Sequence, residues 1–239
     1  MTQARIRAVL FDMDGTLVDT LPDIAAAVNA ALVELKLHAL DPARIATLIG
    51  NGPRILSRRA LDAQESLTAD QRERLVEPLL EGYARNYAVQ AGTLGRVFPG
   101  TLEGLRELSA GGYKLGVVTN ALQHLAEAVL SRFAIAPFLQ IVIGGDRVVL
   151  HKPHPEPLWQ ACNALGVAPH EALMVGDSIN DVAAARAAGC EVVCLPHGYD
   201  QGQPVDELGC DVLAALTALP AWIAAHERRA PDSVAAAAT

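Results

Sequence analysis

The sequence predicts an α/β fold, a doubly wound parallel sheet interrupted by an inserted helical module. Three observations predict it. Short apolar runs such as residues 6–11 and 114–118 alternate with amphipathic stretches over most of the chain, the pattern of strands buried between two layers of helices. One long interval, residues 21–92, breaks that rhythm with helical patterning and no convincing strand. Acidic, hydroxyl and lysine side chains gather where the apolar runs end, and open parallel sheets bind their ligands at that edge.

The first strand, residues 6–11, is continuously apolar and runs straight into Asp12-Met13-Asp14-Gly15-Thr16. Pro22 follows in the first turn of a helix reaching towards Leu37, a position where a missing N–H costs no intrahelical bond. Asp41-Pro42 opens a second helix that ends near Gly50, and Pro53 opens a third through Leu61. Thr68-Ala69-Asp70-Gln71 has the S/T-x-x-E/Q form of a capping box. It introduces a longer helix with Leu75, Leu79, Leu80 and Tyr83 on its apolar side and Pro78 placed to kink it.

The strand and helix alternation resumes at Phe98-Pro99-Gly100. Thr101 caps a helix that stops at Gly111-Gly112, residues 114–118 make the second strand, and residues 121–132 a helix. Residues 141–143 make the third strand, residues 155–165 a helix closed by Gly166, and residues 173–175 the fourth strand. A helix over residues 180–188 ends at Gly189, and residues 191–195 make the fifth strand. The expected division is a discontinuous core of residues 1–20 and 93–226, a helical cap of residues 21–92, and a disordered tail of residues 227–239, which is Ala-rich and polar without apolar period. No internal repeat is visible.

Composition excludes several functions. With 239 residues and 51% apolar content the chain can bury a full core. A net charge of −8 argues against a nucleic-acid surface, which needs a basic face for the phosphates. No run approaches the ~18 apolar residues of a membrane span, and the first residues show no run of Lys or Arg followed by an apolar block and a small-residue cleavage site. A soluble, cytoplasmic monomer or homodimer is expected. Cys162, Cys190, Cys194 and Cys210 read as reduced core thiols, without C-x-x-C or zinc-finger spacing. His124, His151, His154 and His197 lack ligand spacing with a local acid, and Trp159 and Trp222 read as helix packing residues.

The strand ends carry the chemistry. An Asp-x-Asp-Gly-Thr match has a chance probability on the order of 10⁻⁵ per window at average residue usage. Its plain alternative is a polar turn in which an Asp caps a backbone N–H. Thr119-Asn120 follows the second strand and precedes a helix, fitting either an anion grip or an ordinary N-cap. Lys152 lies in the Pro-stiffened loop His151-Lys152-Pro153-His154-Pro155, as a point charge for phosphate or a solvated loop charge. Asp177 and Asp181 are four apart at a helix start, hence on one face, and could be capping alone. Their common address at one sheet edge favours a single phosphoryl-transfer site.

On these motifs the chain resembles the haloacid dehalogenase superfamily of phosphatases. Asp12-Met13-Asp14-Gly15-Thr16-Leu17-Val18 matches its first motif, Thr119 its second, Lys152 its third, and Gly176-Asp177-Ser178-Ile179-Asn180-Asp181 its fourth. The resemblance implies a Rossmann-like core with a mobile α-helical cap. Within the superfamily the chain is most similar to phosphoglycolate phosphatases, on Ile49-Gly50-Asn51-Gly52, Val142-Ile143-Gly144-Gly145-Asp146, Lys152-Pro153-His154-Pro155 with Pro157-Leu158, and Gly198-Tyr199.

The resemblance implies Asp12 as nucleophile and Asp14 as acid and then base. It implies Mg²⁺ held by the Asp12 carboxylate, the Asp14 carbonyl and Asp177, with Asp181 orienting a metal-bound water or anchoring Lys152. Thr119 and the Asn120 N–H would grip phosphoryl oxygens while Lys152 neutralises charge. The expected substrate is a small phosphorylated metabolite, 2-phosphoglycolate, hydrolysed through an aspartyl-phosphate. Alternatives are a phosphatase for an amino-sugar or sugar phosphate, or a phosphosugar mutase. Asn51 and Arg54 are candidates for the substrate carboxylate, or else part of a helix-to-helix turn set by Gly50 and Pro53. Ala121 stands where many related phosphatases carry Lys after the Thr-Asn pair.

Overall fold

In the computed structural model, which describes residues 5–199 and 202–229, the chain runs through eight strands and nine α-helices among the described residues. They are β1 (Ala8–Phe11), β2 (Val18–Asp19), α1 (Leu21–Glu34), α2 (Pro42–Ala46), α3 (Pro53–Asp62), α4 (Ala69–Gln90), β3 (Arg96–Val97), α5 (Thr101–Ala110) and β4 (Lys114–Val118). Then follow α6 (Gln123–Arg132), β5 (Ile141–Ile143), α7 (Glu156–Leu165), β6 (Ala172–Gly176), α8 (Ile179–Ala188), β7 (Glu191–Cys194), β8 (Asp211–Val212) and α9 (Leu219–Arg229).

Six strands form one parallel sheet in the order β5-β4-β1-β6-β7-β8. Strand alternation sends Val9, Phe11, Leu115, Val117, Leu173 and Val175 into one apolar cluster with Leu105 and Leu108 of α5 and Leu125 and Val129 of α6. Ala8, Leu10, Ala172 and Met174 face the other way, onto Leu158 and Ala161 of α7 and Ala184 and Ala185 of α8. Both faces are thus covered, as a parallel sheet requires. Each fully buried Leu, Val or Phe adds about 1.5–3 kcal/mol.

The interval between β2 and β3 is helical, as the patterning indicated. Ala-rich α1 packs on α4 closely enough that a Cβ on Gly82 would lie 3.0 Å from the Ala31 methyl. The capping box forms, with the Thr68 amide donating to Gln71 Oε1 at 2.8 Å and the Gln71 amide to Thr68 Oγ1 at 3.3 Å. The α4 helix continues unbroken through Pro78. Two helices are shorter than their sequence suggested. The α1 helix ends at Glu34 because Lys36 turns to a φ of 61°, and α2 ends at Ala46 where the Thr47 and Leu48 amides make tight bonds to Arg44 and Ile45 carbonyls.

Other differences are tertiary in origin. β2 and β3 pair antiparallel, Val18 with Val97 and Asp19 with Arg96, where the chain leaves the sheet region and returns to it. β8 adds a sixth strand beside β7. Residues 227–229, expected to begin the tail, complete α9, and Glu227 Oε1 accepts a hydrogen bond from the Ile6 amide at 3.1 Å. The rest of the expected tail, residues 230–239, lies outside the described residues. Trp159 is 46% exposed on α7, and its indole N–H reaches the Ala188 carbonyl at the end of α8. All four cysteines are free thiols.

Candidate active site

Register aligns the functional side chains. Phe11 pairs with Val117 on one side and Val175 on the other, so Asp12, Thr119 and Asp177 emerge together at the carboxyl edge of the sheet. Val118 pairs with Ile143, and the loop after β5 brings Lys152 back under the same edge. The structure therefore brings together the motifs that the sequence spreads over nearly 170 positions.

Lys152 is the hub, with a side chain only 2% exposed. Its ammonium donates to the Val118 carbonyl at 2.6 Å and to Asp181 Oδ1 at 2.7 Å, and lies 2.9 Å from Asp12 Oδ1. An ammonium has three donors, and three acceptors meet it. Burial by itself would lower the Lys152 pKa, but the Asp12 and Asp181 carboxylates outweigh it and raise the value, keeping the group charged.

Asp181 is fully committed to holding this arrangement. Its Oδ2 accepts the Ser178 hydroxyl at 2.7 Å and the Ser178 and Asp177 amides at 3.2 and 3.3 Å, while Oδ1 takes Lys152. Asp177 is fixed by the Thr16 hydroxyl on Oδ1 at 2.6 Å and the Tyr199 amide on Oδ2 at 2.6 Å. It lies between two glycines for a steric reason: a Cβ on Gly15, whose φ is 87°, would sit 2.5 Å from its Oδ2, and one on Gly198 would sit 1.9 Å away.

Asp12, Asp177 and Asp181 each offer a carboxylate oxygen, all within 4.8 Å of one another. An all-oxygen anionic donor set of this kind fits a hard divalent cation. Burial raises the Asp12 pKa to about 7 against the lowering effect of Lys152, and raises Asp177 well above the usual carboxylate range. Buried acids so placed gain most from a cation that neutralises them.

Asp14 differs. Its Oδ1 accepts the Thr20 hydroxyl at 2.6 Å, and burial raises its pKa despite that bond. Thr119 is buried, with its hydroxyl oxygen accepting the Ala121 amide at 3.1 Å. The Asn120 side chain donates to the Gly50 carbonyl at 2.9 Å and the Lys152 carbonyl at 2.8 Å, clasping the helical module to the lysine loop.

From the helical module, Ile24, Ile49, Gly50, Gly52, Pro53, Leu56 and Tyr83 close over these groups, leaving a cavity of about 40 Å³. The two residues expected to meet a substrate carboxylate do not line it. Asn51 instead donates to Asn180 Oδ1 at 3.2 Å and accepts from Arg59 at 2.9 Å, bridging module and sheet domain. Arg54 is exposed and ion-paired with Glu77, because helical spacing in α3 turns it towards α4.

The model of the haloacid dehalogenase-like hydrolase family matches residues 9–195. The chain belongs to that family. As a haloacid dehalogenase-like hydrolase it is 40% identical over 208 residues to the phosphoglycolate phosphatase of Nitrosospira multiformis, covering 87% of this chain and 91% of that one. It is 39% identical over 225 residues to the phosphoglycolate phosphatase of Escherichia coli K12, covering 87% and 88%. Among solved structures, a predicted phosphoglycolate phosphatase from Haemophilus somnus superposes with a TM-score of 0.85 at 33% identity, covering 93% of this chain and 99% of the other.

Within this hydrolase the bonding roles of Thr16, Ser178, Asn180 and Tyr199 are not read from the sequence, although all four lie in the motif stretches, and Thr20 is missed altogether. Thr16 and Ser178 lie inside recognised motifs and could have been found there as hydroxyl donors to Asp177 and Asp181. Thr20 occupies the N-cap position of α1, yet it makes no side-chain capping bond and donates its hydroxyl to Asp14.

Proposed function

We propose that this hydrolase is a phosphatase that hydrolyses 2-phosphoglycolate to glycolate and phosphate through an aspartyl-phosphate. The observation that carries the reading is the Asp12 carboxylate, 2.9 Å from the Lys152 ammonium and in one cavity with Asp14 and Thr119. Asp12 attacks phosphorus while the bond to the alkoxide oxygen breaks, and Asp14 protonates that leaving oxygen. Asp14 then takes a proton from the water that cleaves the aspartyl-phosphate. Thr119 and the Asn120 N–H hold the phosphoryl oxygens, and Lys152 offsets their charge.

We take Asp12, the Asp14 carbonyl and Asp177 as holding Mg²⁺, with Asp181 anchoring Lys152. When bound, the cation supplies charge neutralisation between two anions that would otherwise repel. The donor chemistry supports Mg²⁺, which tolerates few protein ligands and keeps several waters.

The cavity is lined from the helical side mainly by apolar Ile24, Ile49 and Leu56. We take residues 21–92 as a cap that opens to admit substrate and closes over it. The names of the relatives support the same substrate, and the free thiols support work in the cytoplasm.

Phosphate release from 2-phosphoglycolate, sugar phosphates and amino-sugar phosphates, each with Mg²⁺ and with excess EDTA, tests the proposal. Preference for 2-phosphoglycolate that vanishes in EDTA is expected. Equal rates across the panel would defeat the substrate assignment, and transfer of phosphate between sugar positions without release would establish a mutase.

A further inference from the structure

Tyr199 occupies an unusual crossing point. Its amide donates to Asp177 Oδ2 at 2.6 Å. Its phenol hydroxyl donates to Asp19 Oδ1 at 2.9 Å and accepts the Leu21 amide at 2.7 Å. The residue is buried, its amide bond to Asp177 is buried too, and the two phenol bonds are part-buried. One residue thus touches both the acidic centre and the first linker of the helical module.

That linker is joined to the second one. Asp19 pairs with Arg96 in the β2–β3 ribbon, and their side chains form an ion pair at 3.2 Å. Asp23, fully buried at the start of α1, accepts the amides of Gly92, Thr93, Leu94 and Gly95 at 2.9–3.1 Å. Residues 19–23 and 92–97, the two ends of the module, are therefore tied to each other.

We propose that Tyr199 is a positioning residue that couples cation occupancy at Asp177 to the seating of the helical module on the sheet domain. The inference rests on the reading of Asp177 as a cation ligand. A cation drawing on Asp177 fixes the carboxylate, the carboxylate fixes the Tyr199 backbone, and the ring presents its hydroxyl to Asp19 and Leu21. Seating of the module in turn favours the Tyr199 position that orders Asp177. Such coupling is reciprocal: whatever factor the cation lends to closure, closure lends to cation affinity.

Tyr199→Phe keeps the ring and the amide bond to Asp177 and removes the phenol bonds. Asp19→Ala removes the linker acceptor and leaves Tyr199 intact, so it should reproduce the effect if Tyr199→Phe misfolds. The readouts are Mg²⁺ affinity by calorimetry and hydrogen exchange of the peptide spanning residues 48–56, which sits on Asn120 and Asn180 away from Tyr199.

In the wild-type protein Mg²⁺ should slow exchange in that peptide. In either variant the slowing should shrink and the Mg²⁺ affinity fall by a similar factor, about 5- to 20-fold, within the usual range of coupling between sites. Exchange that quickens equally with and without Mg²⁺ would mark a structural role only and overturn the proposal. Unchanged Mg²⁺-dependent slowing in both variants would overturn it too. Absence of Mg²⁺ binding by the wild-type protein would remove the cation reading itself, and the coupling with it.

Discussion

Replacing Lys152 by Met removes the ammonium from between Asp12 and Asp181 while keeping much of the stem. The charge sits 2.9 and 2.7 Å from the two carboxylates and is almost completely buried. At an effective dielectric of 20, a pair of charges ~3 Å apart attracts by roughly 5 kcal/mol before desolvation is counted. Removing one partner of such a buried group leaves uncompensated charge and costs about 3–5 kcal/mol. We expect that loss at pH 7.5 in EDTA, read from urea unfolding by tryptophan fluorescence. The pH dependence identifies the cause. The folded pKa of Asp12 is already raised to about 7, and loss of Lys152 raises it further, so the folded variant binds a proton that the unfolded chain has released. A raised folded pKa contributes stability below the unfolded value and loses it as pH rises through the folded value. Lowering the pH from 7.5 to 5 should therefore raise the variant's own stability by up to about 3 kcal/mol, at ~1.4 kcal/mol per proton per pH unit, and because wild-type Asp12 at about 7 gains most of this too, the deficit should narrow by only about 1 kcal/mol or less. Adding Asp12→Asn to Lys152→Met should return part of the loss at pH 7.5. A deficit under ~1 kcal/mol at pH 7.5, or one that Asp12→Asn does not reduce, would refute the account of Lys152 as the buried counter-charge.

Asp12→Asn should reduce turnover of 2-phosphoglycolate below about one per cent, because an amide cannot form the acyl-phosphate; trapping of phosphate on the protein should disappear with it, and residual activity of several per cent would exclude Asp12 as nucleophile. Arg54→Ala should leave kcat/KM within about twofold of wild type, since Arg54 spends its charge on Glu77 in solvent; a tenfold rise in KM would instead return Arg54 to the substrate site.

The strands were legible wherever they were short, apolar and buried on both faces. Residues 114–118 and 141–143 have the predicted bounds, and β1, β6 and β7 shift by no more than two residues. The acids at their ends were legible because register between parallel strands forces equivalent ends to one edge. What remained hidden depends on distant partners. Val18–Asp19 and Arg96–Val97 are too short for any periodicity, and only their mutual pairing makes them strands. Arg54 beside a glycine turn resembles a ligand contact until α4 presents Glu77 to it. Glu227 lies in an apparently featureless segment, and its role depends on an unpaired amide more than two hundred residues earlier.

Asp12 and Asp14 show why a carboxyl pair needs its environment before it has roles. Both are partly buried, and their withdrawal from water raises both pKa values. By that effect alone Asp12 would be a poor nucleophile, because a carboxyl titrating near neutrality is partly protonated and attacks weakly. Two features separate it from Asp14. The Lys152 ammonium touches Asp12, and carboxylate oxygens of Asp177 and Asp181 lie within 4.8 Å of an Asp12 oxygen, an arrangement that admits a divalent cation. A cation there pulls Asp12 down into its charged form. Asp14 gives its side chain to the Thr20 hydroxyl instead, at the joint between the sheet domain and α1. In the proposed site only the Asp14 backbone faces the cation, so its carboxyl keeps the raised pKa that a proton donor to a leaving alkoxide requires. In the proposed mechanism the same residue type two positions apart serves as nucleophile and as acid because lysine contact and cation act on one side chain and a buried hydroxyl binds the other.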